Sequence, residues 1–402
     1  MESMSHSVRS PSHWLVLLSL LLGTAGCEVL GVAEEDERTS RSLKTVWYQR
    51  HTGFARPKPA VLGDLVFVGT GNGQVIARDG GNGAQRWVAT VGRSSLQSAN
   101  LIARSGVVVA PVVSHTVGLE AATGRELWRY TAPIDSVGGG PPNPGTVAKV
   151  RIDADDRSAY IAAWGPSLAA VDLRSGEVRW QWTPEPGTPF RFGAEGVTLD
   201  GGEVFLASFH ALDSRGTRCE MWVVALQAAT GNQLWISKIP APGSISCTAG
   251  RPAVTTDRVI AMLITGEMFG LDRKTGKVVW NVPRDTTSYL SVLSSPAVRD
   301  GIVYTGTGDD HLRAVRASDG QPLWRTPVRA QFVDDLLVTA RRVIGVDGPY
   351  LFVFDRVTGK LLRQVEQPHP PALGGVFPAT PADLNGRIVA PVNGGVWVFQ
   401  EP

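Results

Sequence analysis

Two stretches, Ala170-Val-Asp-Leu-Arg-Ser-Gly-Glu-Val-Arg-Trp180 and Gly270-Leu-Asp-Arg-Lys-Thr-Gly-Lys-Val-Val-Trp280, carry one pattern: a strand, a four-residue turn, and a second strand that reaches a tryptophan. The same glycine-plus-tryptophan spacing occurs at Gly83/Trp87, Gly124/Trp128, Gly176/Trp180, Gly231/Trp235, Gly276/Trp280 and Gly320/Trp324, with Gly359/Arg363 as a degenerate seventh copy. Successive glycines lie 41, 52, 55, 45, 44 and 39 residues apart. A period of that size is the size of a propeller blade and too long for a single hairpin unit.

The turn chemistry is explicit. Asp79, Asp172, Asp272 and Asp355 stand four residues before the glycine. There a short carboxylate can accept backbone N–H groups, while glycine takes the φ > 0 position without steric cost. Upstream runs a second hairpin, as in Pro59-Ala-Val-Leu-Gly-Asp-Leu-Val-Phe-Val-Gly-Thr70, Pro252-Ala-Val-Thr-Thr-Asp-Arg-Val-Ile-Ala-Met262 and Pro296-Ala-Val-Arg-Asp-Gly-Ile-Val-Tyr-Thr-Gly306. Each unit therefore holds four strands. They read as apolar on both faces, as expected of sheets sandwiched between neighbours. Helical periodicity is absent, which excludes an alternating strand–helix fold.

A ring of blades leaves no exposed edges only if its ends complete each other. The C-terminal stretch from Phe377 to Phe399 supplies three strands and stops before a glycine-plus-tryptophan strand. Leu43-Lys-Thr-Val-Trp-Tyr-Gln49 is an orphan strand whose Trp47 fits the missing position. The fold expected is all-β, an eight-bladed propeller of four-stranded antiparallel blades over residues 43–402, closed by residues 43–49. Its tryptophans are expected to wedge between adjacent blades rather than to stack on a ligand.

With 45 glycines, 27 prolines and 19% charged residues among 402, the composition suits a turn-dense β chain with a large continuous core. The net charge of +2 comes without a basic cluster, so nucleic acid is not an expected partner. The first residues differ. Arg9 precedes the nine-residue run Trp14-Leu-Val-Leu-Leu-Ser-Leu-Leu-Leu22, too short to span a bilayer, and Gly23-Thr-Ala-Gly26 leads into Cys27. Residues 1–26 resemble a bacterial lipoprotein signal, which implies that Cys27 is lipidated and begins the mature chain. Residues 27–42, including Glu34-Glu-Asp-Glu-Arg-Thr-Ser-Arg41, suit a flexible tether with a reach on the order of 20 Å. Glu28 after the cysteine favours the outer membrane by resemblance to the enterobacterial sorting rule. Cys219 and Cys247 remain; a disulfide between them is favoured over free thiols, and no histidine or third cysteine gives them metal-site spacing.

The Ala-x-Asp-x-x-Thr-Gly-x-x-x-Trp pattern resembles the repeat of pyrroloquinoline-quinone (PQQ) dehydrogenase-like propellers across nearly all of residues 43–400. Two groups share it: quinoprotein dehydrogenases and the outer-membrane assembly lipoprotein BamB. The first group implies PQQ, calcium and a catalytic aspartate, with an adjacent-cysteine disulfide on the cofactor; this chain has no Cys-Cys pair and lacks the group's long insertions. Size, signal and minimal blades are similar to the BamB side. The function this implies is a lipid-anchored, non-catalytic scaffold, monomeric within a complex at the outer membrane and facing the periplasm. It would bind envelope proteins such as the β-barrel assembly machinery and need no cofactor or metal. A quinone-dependent dehydrogenase or a ligand-sensing propeller is the alternative.

Other motifs carry less. Asp153-Ala-Asp-Asp-Arg-Ser158 lacks the glycine and the distal glutamate of a calcium loop and reads as a hairpin turn. Gly69-Thr-Gly-Asn-Gly73 and Gly306-Thr-Gly-Asp-Asp310 recur at one blade position and read as turns, not phosphate loops. His51, His115, His210, His311 and His369 fall in different units, and only a ring could bring some of them together. Proline-rich connections at 133–145, 184–189 and 367–375 are rigid loops suited to docking, or spacers between sheets.

Overall fold

The computed structural model describes residues 43–51, 57–92, 100–112, 115–131, 151–162, 168–184, 194–212, 218–241, 250–283, 294–307, 310–328, 330, 332, 335–367, 377 and 379–401. Among these there is no helix, and the strands form eight antiparallel sheets of four. Blade 1 comprises Ala60–Leu62, Leu65–Gly69, Gln74–Asp79 and Gln85–Thr90. Blades 2 to 7 follow in the same order, opening with Ile102–Arg104, Arg151–Ala154, Ala194–Asp200, Ala253–Val254, Ala297–Arg299 and Leu337–Val338. Blade 8 joins the two ends of the chain. Thr45–Arg50 pairs with Gly395–Gln400, which pairs with Arg387–Val392 and then Ala382–Leu384. Trp47 sits opposite Val398, so the orphan strand supplies the fourth strand as its sequence required.

The first strands of neighbouring blades touch at all steps of the ring but that from Leu337–Val338 to Ala382–Leu384, which makes them its inner wall. The two middle strands of each blade are buried on both faces, as in Val107–Pro111 and Ser158–Ala162. The outermost strand differs from the sequence reading: Gln85–Thr90, Val278–Val282 and Pro322–Pro327 alternate exposed and half-buried positions. One side of an outer edge has no neighbouring strand, so polar residues such as Gln85 and Arg86 occupy positions that would otherwise meet a sheet.

The blades are joined by tryptophan. The indole N–H groups of Trp47, Trp87, Trp128, Trp180, Trp235, Trp280 and Trp324 donate to the carbonyls of Gly80, Ala121, Leu173, Ala228, Arg273, Ala317 and Arg356, each on the next blade, at 2.8–3.3 Å. The ring then lies on the next blade's repeat glycine. A Cβ on Gly83, Gly124, Gly176, Gly231, Gly276, Gly320 or Gly359 would come within 2.4–2.8 Å of the preceding blade's tryptophan. All seven glycines have φ between +70° and +76°. Each thus serves two ends at once, the left-handed turn and a bare surface for an indole. The sequence reading supplied only the first.

The same geometry explains Arg363. A tryptophan there would need a turn glycine on blade 8, but the third and fourth strands of blade 8, ending at Gln400 and beginning at Thr45, are not joined by a turn. Thr339 and Arg341 of blade 7 hold Glu401 instead, the latter pair at 3.4 Å.

Each turn is set by its aspartate. Asp172 accepts the N–H groups of Arg174 and Ser175, each at 2.9 Å, and pairs with Arg179. The Ser175 N–H first, with Arg179 and Arg174 adding to it against the cost of burial, holds the Asp172 carboxyl down at about 2. A carboxyl depressed in the fold contributes stability above its unfolded value of 3.8, and this is lost as pH falls through about 2. Asp172→Asn is therefore expected to lower the urea midpoint at neutral pH, with the gap to the wild type closing between pH 4 and pH 2.

A second pair of substitutions separates the two roles of the repeat glycine. Gly276 and Gly301 have nearly equal φ, +70° and +71°, but a Cβ would meet Trp235 at 2.4 Å on the first and nothing within 4 Å on the second. Gly301→Ala should cost about 1–2 kcal/mol for the left-handed backbone alone. Gly276→Ala should cost a further ~1–3 kcal/mol from overpacking against the indole, read as a lower denaturation midpoint.

Candidate functional site

The strand registers define an equivalent position in every blade. Ala60, Ile102, Asp153, Thr198, Ala253, Ala297, Leu337 and Ala382 each lie on the first strand opposite the residue of the second strand that leads to the tryptophan pair. Two residues earlier, where the chain enters the inner wall, stand Lys58, Asn100, Arg151, Gly196, Arg251, Ser295, Asp335 and Thr380. None is apolar apart from Gly196. Those whose side chains are described, Arg151 being outside them, form a polar collar around the axis, at the end of the ring opposite the aspartate–glycine turns, because the first and third strands of a blade run in the same direction.

The collar is hydrogen-bonded from blade to blade. The Arg251 backbone N–H donates to Ser295 Oγ at 2.9 Å, the Ser295 N–H donates to Asp335 Oδ1 at 3.0 Å, and Thr380 Oγ1 donates to the Asp335 carbonyl at 2.8 Å. Arg251 Nη2 reaches Asp335 Oδ2 at 3.3 Å, across the intervening blade 6. Gly196 makes room for it, since a Cβ there would lie 2.3 Å from the Arg251 Cβ. One layer deeper, Asp153 Oδ2 accepts the Leu199 N–H at 2.9 Å and its Oδ1 accepts the Ala154 N–H at 2.8 Å.

Four charges in this region feel one another although they come from blades 1, 3, 5 and 7. Burial, and then the Arg251 guanidinium, push the Lys58 ammonium below the usual lysine range against the pull of Asp335 and Asp153. Burial works to raise the Asp335 carboxyl, but Arg251, Ser295 and Lys58 together bring it below its ordinary value. Burial carries the Asp153 carboxyl upward despite the Leu199 N–H and Arg251. Side chains two blades apart interact in this way only near the axis. Arg251 and Asp335 keep 33% and 21% of their side-chain surface open, so the cluster is enclosed by protein yet lines a space that solvent reaches.

The residues singled out from the sequence lie elsewhere. The repeat glycines and tryptophans, with Trp47, form the seams described above. His115, on blade 2, lies 3.1 Å from the Val91 carbonyl. His210, on blade 4, packs against Trp222 at 4.9 Å, and burial lowers its imidazole. His311, on blade 6, lies beside Arg325 at 3.4 Å. His51 follows the first strand of the chain, and its N–H group reaches the Gly394 carbonyl at 3.0 Å. The described histidines therefore stay on separate blades and form no common site; His369 lies outside the described residues. Among the described residues no group of three or more His, Cys, Asp or Glu is placed to hold a metal ion.

Residues 155–158 form the expected turn, with the Arg157 and Ser158 N–H groups on Asp155. Cys219 is 5% exposed and disulfide-bonded, whereas Cys27 and Cys247 lie outside the described residues, as does most of the three proline-rich connections. The collar was missed because Lys58, Arg251 and Asp335 are far apart and unlike in sequence. A usable signal existed all the same. Lys58, Arg251, Ser295 and Thr380 each directly precede the Pro-Ala pair that opens a blade.

The chain is 23% identical to the outer membrane protein assembly factor BamB of Burkholderia pseudomallei over 274 residues, spanning 66% of this chain and 64% of that protein, just under two thirds of its length. It is 23% identical to the BamB of Moranella endobia over 329 residues, 77% of this chain and 78% of that one. Among solved structures, BamB from Moraxella catarrhalis superposes with a TM-score of 0.58 at 17% identity, over 88% of this chain and 87% of that chain. Quinohemoprotein alcohol dehydrogenase from Comamonas testosteroni superposes with a TM-score of 0.62 at 16% identity, over 90% and 77%. Such structural likenesses speak to the propeller fold, which both groups share. The family described as outer membrane protein assembly factor BamB matches residues 38–189, 116–293 and 287–399, and this chain belongs to that family.

Proposed function

We propose that this protein is a lipid-anchored, non-catalytic scaffold of the cell envelope that holds protein partners during assembly of outer-membrane β-barrel proteins. The observation that carries the reading is the family match over almost the whole ring, joined to blades that are nearly all minimal. Cys27 serves as the lipidated residue and residues 27–42 as the tether, leaving the propeller free on the periplasmic side. More than one acyl chain on a single thiol gives an anchor that persists, where one chain would exchange. The Cys219 disulfide closes on Cys247, since an exported chain matures where such bonds last. No helix among the described residues is long and apolar enough to cross a membrane.

The likeness to quinohemoprotein alcohol dehydrogenase supports a second reading, a PQQ-dependent enzyme. Incubation of the purified protein with PQQ and calcium distinguishes it: appearance of the cofactor's bound absorbance would favour the enzyme, and an unchanged spectrum removes it.

For the scaffold, affinity capture from detergent-solubilised membranes is expected to recover a β-barrel assembly component, and recovery of the bait alone would count against the role. Cys27→Ala is expected to move the protein from the membrane fraction to the soluble one without changing its melting temperature.

A further inference from the structure

We infer that the axial collar is a binding site for a small anion bridging Lys58 and Arg251. The collar's acceptors are already engaged. Asp335 is held by Arg251 and by the Ser295 N–H, and Asp153 by two backbone N–H groups. Its donors are not. Arg251 spends one terminal nitrogen on Asp335, and the Lys58 ammonium makes no hydrogen bond or ion pair among the described residues, its residue bonding only through the carbonyl that accepts the Leu101 N–H. The Lys58 side chain is half-buried, and both burial and a guanidinium of the same sign work against its charge.

Lys58 and Arg251 stand on blades 1 and 5, four steps apart in a ring of eight, so they face each other across the axis. An anion between them satisfies both donors and turns their mutual repulsion into two attractions. Gly196 of blade 4, the collar position without a side chain, lets the base of Arg251 pack against its backbone. A carboxylate or a phosphate fits this donor set. Two facing cations do not suit a metal ion.

The test uses the purified full-length protein in detergent, with inorganic phosphate and succinate as probes and sodium chloride at matched ionic strength as reference. At least one probe should raise the melting temperature over chloride, and which one responds separates a phosphoryl from a carboxylate ligand. Lys58→Met and Lys58→Gln should abolish that increment while leaving the anion-free melting temperature equal or higher. Lys58→Arg should retain it. Absence of any increment in the wild type, or its persistence in a folded Lys58→Met or Lys58→Gln protein, would overturn the assignment. Loss of partner capture would not bear on this result, because the readout is anion binding to the purified protein alone.

Discussion

The ring depends on one contact, repeated seven times: an indole laid flat on a glycine of the next blade, with its N–H on a carbonyl three residues before that glycine. It joins two requirements in one residue. The turn needs φ > 0 and the indole needs a surface without Cβ, and only glycine meets both. Because the contact runs always from one blade to the next, it sets handedness and spacing together. A small residue opposite the indole on its own sheet completes the slot: Ala77, Gly118, Ala170, Ala225, Gly270 and Ala314 pair with Trp87, Trp128, Trp180, Trp235, Trp280 and Trp324. In Gly118 and Gly270 even a Cβ would collide with the blade's own ring, at 2.1 and 1.9 Å. These seams bury aromatic surface and satisfy an indole donor, so each contributes through apolar transfer as well as a hydrogen bond of about 1 kcal/mol net.

That contact also accounts for what the sequence made easy to read and what it hid. A motif that must recur at every seam is written into the chain seven times, and Trp47 could be assigned to the far end because one slot was left empty. Arg363 looked like decay of the motif; it is the position whose forward neighbour is a blade with no turn between its third and fourth strands. The buried faces of the middle strands were legible in their unbroken Val, Ile and Ala runs. The exposed outer strands were not, since Val278 and Leu323 are apolar in sequence yet 39% and 41% exposed, and only the absence of a further strand decides it. The collar was least legible of all. Its members share a place in the ring, not a residue type, and a repeat reveals itself by what stays constant.

Constancy and variation are divided between the two ends of the ring. One end carries the aspartate turns and the indole seams, where Asp79, Asp172, Asp272 and Asp355 are all depressed below the ordinary carboxylate range by turn N–H groups and side-chain donors. Little can change there without loosening a joint. The other end receives the connections between blades and the hairpin turns of the middle strands, whose lengths and residues differ freely. Blade 4 shows the freedom: Glu203–Ala211, Cys219–Gln227 and Gln233–Ala241 are nine residues each, where five or six is usual. Trp222 is pinned on that extension by Lys238 at 4.3 Å, by His210 and by Glu220. Partner-specific surface in a propeller belongs at such an end, on loops carried by a rigid frame.

The collar belongs to that variable end, and its composition follows from symmetry being broken there. If eight blades each placed the same charge at the axis, repulsion would open the ring; if each placed an apolar side chain, the axis would pack shut. Lys58 on blade 1, Arg251 on blade 5 and Asp335 on blade 7, with Asp153 of blade 3 one layer deeper, avoid both outcomes, leaving the wall polar and the ring closed. The balance is not complete, because the acids are consumed by neighbours on the wall while Lys58 is not. Propellers that act as enzymes and propellers that act as scaffolds share the frame, so the residues at this level, rather than the seams, decide which chemistry the axis can hold.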